Sequence, residues 1–190
     1  MNLGEILRMT YPVSDESVDA MLSAVKLLKV KKRQAIVEQG VRTDSVFFVK
    51  NGVFRVTMTI DGREDTILFG CDGDVFASLN ALYAGGNSWF SCIAETDSEV
   101  FAITFDDFSR LQDEHHDLAF WLRDYLIGNM FAFERRYVNF SLYDASQRYE
   151  QFLRMRPELL EHIPLKHLAQ YLKVTPETLS RIRAKYVDHT

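Results

Sequence analysis

The chain has 190 residues, 47% of them apolar, with 22 lysines and arginines against 27 aspartates and glutamates, a formal charge of −5. That is enough apolar material for one good core, or for a core plus a small satellite domain. The absence of any run of eighteen apolar residues excludes a membrane-spanning helix, the amino terminus lacks the basic-then-apolar order of a secretory signal so that a cytoplasmic protein is expected, and two cysteines without CxxC spacing, Cys71 and Cys92, support neither a disulfide framework nor a four-thiolate metal site.

Ser14, followed by Glu16 and Ser17, opens a segment in which Val18, Met21, Leu22, Val25 and Leu28 recur at helical spacing, which predicts a helix over 18–30. From Ala35 to Ile103 the period changes to two. The clearest stretch sets Phe54, Val56, Met58 and Ile60 against Arg55, Thr57 and Thr59, one face for a core and one for water. Glycine turns at Gly40, Gly52, Gly62, Gly73 and Gly85-Gly86 punctuate the region, each placed to supply a positive φ. Between them lie short runs at 35–37, 46–49, 53–60, 66–69, 75–77, 90–94 and 99–103, the pattern of a sandwich or roll.

Helical periodicity returns after Thr104, which with Asp107 forms an N-cap signal. Residues 113–142 contain no proline and one glycine, and carry the stripe Leu118, Leu122, Leu126, Met130, Phe133, Tyr137, Phe140 in steps of four and three. One helix of that length would run about 40 Å, longer than a small roll can cover. The surplus apolar face is expected to meet a second copy of itself, making this stripe a homodimer interface.

The carboxy-terminal part differs in charge. Residues 145–190 hold eight lysines and arginines against five acids, a balance of +3, whereas the first 144 residues carry −8. Such asymmetry is expected when one end meets phosphate. Within this part, Pro164 suits a first helical position, and Leu165, Leu168, Ala169 and Leu172 form an apolar stripe in which the small alanine admits a close neighbour. Thr175-Pro176 then marks a second helix start. That second helix buries Leu179 and Ile182 and leaves Thr175, Glu177, Thr178, Ser180, Arg181 and Lys185 as candidate DNA contacts, the geometry of a major-groove reader.

The run IPLKHLAQYLKVTPETLSRIR resembles the helix-turn-helix of CRP/FNR-type transcription regulators, and Lys32 to Ile103, with EQG, VKNGVFRV and GDVF at its turns, is similar to their cyclic-nucleotide-binding roll. The resemblance implies an α+β fold: an N-terminal antiparallel β-roll (double-stranded β-helix) with flanking helices at 1–112, a long dimerisation helix at 113–142, and a small helical helix-turn-helix domain at 143–190. It implies double-stranded palindromic DNA and RNA polymerase as partners, no membrane partner, no catalysis, and a hinge around Asn139 to Ala145. In the family a glutamate and an arginine four residues later read base edges; here they fall on Glu177 and Arg181, and a carboxylate accepting from cytosine N4 and a guanidinium forking onto guanine fit that chemistry. Two departures stand out. Lys173 replaces the turn glycine usual between the two helices, and the β-hairpin wing usual after the second helix is not found before Thr190.

A third departure concerns the ligand. Where cyclic-AMP-binding members place a glutamate and an arginine followed by a hydroxyl residue, this sequence places Ser78, Ser88 and Trp89. A cyclic phosphate buried there would lack a cationic partner, so cyclic AMP is not expected as a ligand and the effector is left open. The candidate effector pocket comprises Phe76, Ser78, Leu79, Tyr83, Asn87, Ser88 and Trp89; the same aromatics could simply fill the roll. No metal or other cofactor is expected. Two other classes stay open: a dimeric β-roll interaction module without DNA function, and a cupin-like enzyme. The latter needs histidines inside the roll, and residues 30–105 contain none.

Overall fold

The computed structural model describes residues 1–187. Two short helices, α1 (Leu3–Arg8) and α2 (Asp15–Ala24), precede eight strands: β1 (Lys26–Val30), β2 (Ala35–Val37), β3 (Ser45–Asn51), β4 (Phe54–Ile60), β5 (Arg63–Gly70), β6 (Val75–Phe76), β7 (Ser91–Ala94) and β8 (Ser98–Thr104), with α3 (Leu79–Tyr83) between β6 and β7. The helices α4 (Phe105–Glu114), α5 (His116–Leu142), α6 (Ala145–Met155), α7 (Leu165–Leu172) and α8 (Pro176–Val187) follow, with one 3₁₀ turn at Pro157–Leu159.

The strands pair antiparallel into two four-stranded sheets, ordered β1-β8-β3-β6 and β2-β7-β4-β5, that face each other as a roll. The alternating strands turn Phe47, Val49, Phe54, Val56 and Val100 into its interior, where they meet Phe76 and Cys92. Phe48 points the other way, against Phe108 and Trp121 of α4 and α5 at ring separations of 6.1 and 5.6 Å. Strand β3 is therefore buried on both faces, which explains its unbroken apolar run of Val46 to Val49.

Each of the five turns singled out from the sequence has a glycine with positive φ, Gly85 and not Gly86 in the last of them. Gly52 is the most constrained, since at φ 110° a Cβ would lie 2.0 Å from the Ser98 hydroxyl oxygen. Ser14 and Thr104 cap α2 and α4 by accepting from the Ser17 and Asp107 amides.

The helix expected over 18–30 stops at Ala24, because residues 26–30 pair in register with Ser98 to Ala102 of β8. Helical spacing at Leu28 was fortuitous, and a sheet partner some seventy positions away decides the backbone. The long helix begins at His116 rather than 113; His115 breaks it from α4 with φ −127° and ψ 96°. Asp117 then anchors its first turn, accepting from the Ser14 amide at 2.8 Å and the Ser17 hydroxyl at 2.6 Å.

Replacing Gly52 by alanine combines positive-φ strain with a steric overlap, so it should destabilise the roll by about 2 to 4 kcal/mol. Urea denaturation of the two proteins measures this, and a loss under about 0.5 kcal/mol would refute the close approach to Ser98.

Candidate nucleic-acid interface

Helices α6, α7 and α8 enclose a core of their own, in which Leu168, Ala169 and Leu172 of α7 meet Leu179 and Ile182 of α8 and Tyr149 and Phe152 of α6. Pro164 stands one residue outside α7, at its cap, where its carbonyl accepts from the His167 and Leu168 amides at 2.9 and 3.1 Å. Lys173 takes the left-handed conformation, φ 57° and ψ 47°, that glycine usually supplies at this turn. A lysine there costs about 1 kcal/mol, and its ammonium is held in an ion pair with Asp65 of β5.

The Thr175 hydroxyl accepts from the Thr178 amide at 3.2 Å, which starts α8 at Pro176. The apolar side of α8 is consumed by Leu179 and Ile182. Thr175, Glu177, Ser180, Arg181 and Lys185 are exposed, and Thr178 is half-buried and accepts from Arg181 Nη2 at 3.3 Å. Hydrogen bonds from its own backbone amide and from the Thr175 hydroxyl hold the Glu177 carboxyl below the usual carboxylate range. It is thus an acceptor at neutral pH, as reading a cytosine amino group requires. All six candidate contacts lie along the start and outer side of one helix.

Arg148 of α6 ties this unit to the end of α5: it donates to the Leu172 carbonyl from Nε and Nη2 at 3.2 and 3.0 Å and to the Tyr143 carbonyl at 2.6 Å. A cation at the end of α7 also complements its dipole.

The unit is docked on the roll, which the sequence did not disclose. Arg55 and Thr57 belong to the strand face expected in water, yet Arg55 is 5% exposed and Thr57 2%. Helix α7 covers them. Beneath it Arg55 Nε donates to Glu95 Oε1 at 2.6 Å and Nη1 to Glu64 Oε1 at 2.8 Å. His167 Nδ1 lies 2.8 Å from the same Glu95 oxygen, off the line of a good hydrogen bond. Gln170 accepts from the Thr66 hydroxyl at 3.0 Å and donates to the Glu64 carbonyl at 3.1 Å, while Arg156 pairs with Asp74 at 2.8 Å. The one signal available beforehand was a charged residue in a strand whose neighbours are apolar, and that fits a solvated face equally well.

The residues of the expected effector pocket are brought together only in part: Asn87, Ser88 and Trp89 line an open hollow with Gln39, Gly40, Met58 and Asn80. Phe76 is in the roll core against Phe54, Ser78 caps α3 through the Ala81 amide, and the Ser88 hydroxyl donates to the Phe90 carbonyl at 2.8 Å. Leu79, Tyr83, Asn87 and Trp89 are exposed, Trp89 by 67%. Phe76, Ser78, Leu79 and Tyr83 do not line that hollow.

Of the expected dimer stripe, Leu118 is fully buried in its own roll and so is not free for a partner, while Leu122 packs beside it and is half-buried. Phe140 is half-buried against Arg136 and Arg148 of the same chain. Met130, Phe133 and Tyr137 are two-thirds exposed or more, and Leu126 joins them together with Ile127 and Phe131, which the stripe omitted.

Residues 27–115 match the family model of the cyclic nucleotide-binding domain, the stretch from β1 through α4. The whole fold is similar to that of FixK2 from Bradyrhizobium japonicum (20% identity, TM-score 0.76, covering 87% of this chain and 85% of that one). It is similar also to a CooA variant from Carboxydothermus hydrogenoformans (17% identity, TM-score 0.74, 100% and 85%). A third likeness is to CLP, the c-di-GMP-responsive global regulator of Xanthomonas campestris (14% identity, TM-score 0.74, 93% of each chain). No curated protein matches the sequence. Among the described residues no helix is long and apolar enough to cross a membrane.

Burial, and then the neighbouring Arg55 charge, keep the His167 pKa below its ordinary value in spite of Glu95. The unfolded chain therefore binds a proton that the folded chain refuses, and His167 removes stability as the pH falls below the ordinary histidine range. The drop in urea midpoint from about pH 7.5 to about pH 5.5 should be smaller in His167→Gln than in the wild type. Parallel pH profiles for the two proteins would show that the histidine is not so placed.

Proposed function

We propose that this protein is a homodimeric, sequence-specific DNA-binding transcription regulator of the CRP/FNR type, acting in the cytoplasm, with RNA polymerase as a further partner. The observation that carries the reading is the outward presentation of Glu177 and Arg181 from a helix whose opposite side is locked to α7. The roll is its sensor part and residues beyond the hinge at Tyr143 its DNA-binding part. The likeness to FixK2, CooA and CLP supports this division of labour. Cyclic AMP is not its effector: neither Ser78, Ser88 nor Trp89 can neutralise a cyclic phosphate.

Two subunits pair through the exposed apolar face of α5 between Leu126 and Tyr137, a patch that a monomer would leave in water. Two-fold symmetry then sets the recognition helices about 34 Å apart, one turn of DNA, so that they enter successive major grooves of a palindrome. Arg181 forks onto a guanine, Glu177 accepts from a cytosine, and Lys185 meets phosphate.

Selection of bound sites from random DNA yields the operator, against which variants are measured. Arg181→Ala should cost about 1 to 3 kcal/mol and relax one base position, whereas Lys185→Ala weakens specific and random DNA alike and flattens the salt dependence. Equal losses on both DNAs for both variants would refute these roles, and the absence of any salt-dependent binding would leave a dimeric interaction module. Phe133→Glu should sediment as a monomer; an unchanged mass would rule out the α5 interface.

A further inference from the structure

The roll, the long helix and the helix-turn-helix unit do not close completely where they meet. Between β5, the last turns of α5, α6 and the end of α7 lies a cavity of about 170 Å³, close to the volume that holds one benzene ring in a protein core. Its walls are of two kinds. Phe69, Phe152 and Leu159 are among its apolar residues; Arg135, Arg136, Arg148 and Arg156 also line it, and no carboxylate does.

The four arginines differ in what satisfies them. Arg156 is ion-paired with Asp74 and Glu158, Arg148 is engaged by backbone carbonyls, and Arg135 is exposed. Arg136 lies over two rings, 5.0 Å from the Phe140 centroid and 4.5 Å from that of Tyr171, which also hydrogen-bonds to it, and its Nη1 is buried without a hydrogen-bond partner. Burial depresses its pKa, and Asp65, the carboxylate that acts on it, is committed to Lys173. Buried guanidinium nitrogens are normally paired, because an unpaired one forfeits its hydration for nothing in return. One that lies over two rings beside an apolar hollow is placed to receive an anion.

We propose that this junction binds a small monocarboxylate with a compact apolar body, the carboxylate on Arg136 and the body against Phe69, Phe152 and Leu159. A planar carboxylate matches one guanidinium edge. The volume suits a single ring with a short arm. Such a ligand touches β5, α5, α6 and α7 at once, so it favours the docked arrangement over any in which α7 has left the sheet. The site stands whether or not the chain reads DNA.

The test uses the full chain without DNA, so its failure leaves the regulator reading untouched. Phenylacetate, titrated calorimetrically, should bind with a dissociation constant of about 1 mM or tighter and raise the melting temperature. Its uncharged twin phenylacetamide should bind at least about tenfold more weakly, as should phenylacetate to Arg136→Met. Amide shifts in two-dimensional NMR should centre on Asn139 and Gln151, which answers the question on the wild type even if the variant fails to fold. The proposal is overturned if neither phenylacetate, benzoate nor indole-3-acetate binds saturably up to about 20 mM, if the amide binds as well as the acid, or if the shifts fall elsewhere.

Discussion

A buried ion pair, Arg55 with Glu95, sits under helix α7, and the joint between the two halves of this protein is built around it. Removing both charges from water is costly, and their attraction offsets this only where the remaining donors and acceptors are also met. Here Glu64 and Thr66 complete the guanidinium's partners, and Gln170 and His167 reach the same cluster from α7. Around this polar centre Val53 and Phe69 of the roll extend the core of the helical unit, Phe69 lying 5.5 Å from the Tyr171 ring and 6.5 Å from that of Phe152. Lifting α7 would hydrate the ion pair and expose Phe69 together. The joint therefore favours two discrete states over a continuum.

The long helix divides its labour along its length. Its first turns belong to the roll, through Leu118, Trp121 and the Asp117 anchor. Its middle presents apolar side chains to solvent, and its end gives Arg136 and Phe140 to the junction with α6 and α7. One element thus touches the roll, carries the exposed apolar face and meets the helical unit of α6, α7 and α8. On the proposed function this continuity makes the dimer axis and the reader's pose interdependent. The turn between α7 and α8 shows the same economy: Lys173 accepts an unfavourable backbone conformation, and the side chain that glycine would lack ties the turn to Asp65.

Much of this architecture follows from local rules, and those parts were legible in the residues. Positive-φ turns need glycine, so the roll's turns lie where the glycines are. Seven of the eight strands follow from alternation between them. The capping hydroxyl of Thr175, the proline after it and the spacing of Leu179 and Ile182 settle which side of α8 is buried, and therefore that Glu177 and Arg181 face outward. Each of these features depends on neighbours within a few positions along the chain.

What only the tertiary structure decided depends on partners far apart in sequence. Strand β1 has helical spacing but a sheet edge waiting for it. Arg55 alternates as though it faced water, yet a helix more than a hundred positions later covers it; the Thr66 to Gln170 and Asp65 to Lys173 contacts span 104 and 108 positions. The stripe on α5 is continuous in sequence, but Leu118 is buried in its own chain and Leu122 and Phe140 are half-covered by it. An arginine left without an anion cannot be recognised from its neighbours in sequence either, because its isolation is a property of the space around it. Local patterns determine the elements and which side of each is apolar; what covers that side, and whether a buried charge finds a partner there, is settled only when the pieces pack.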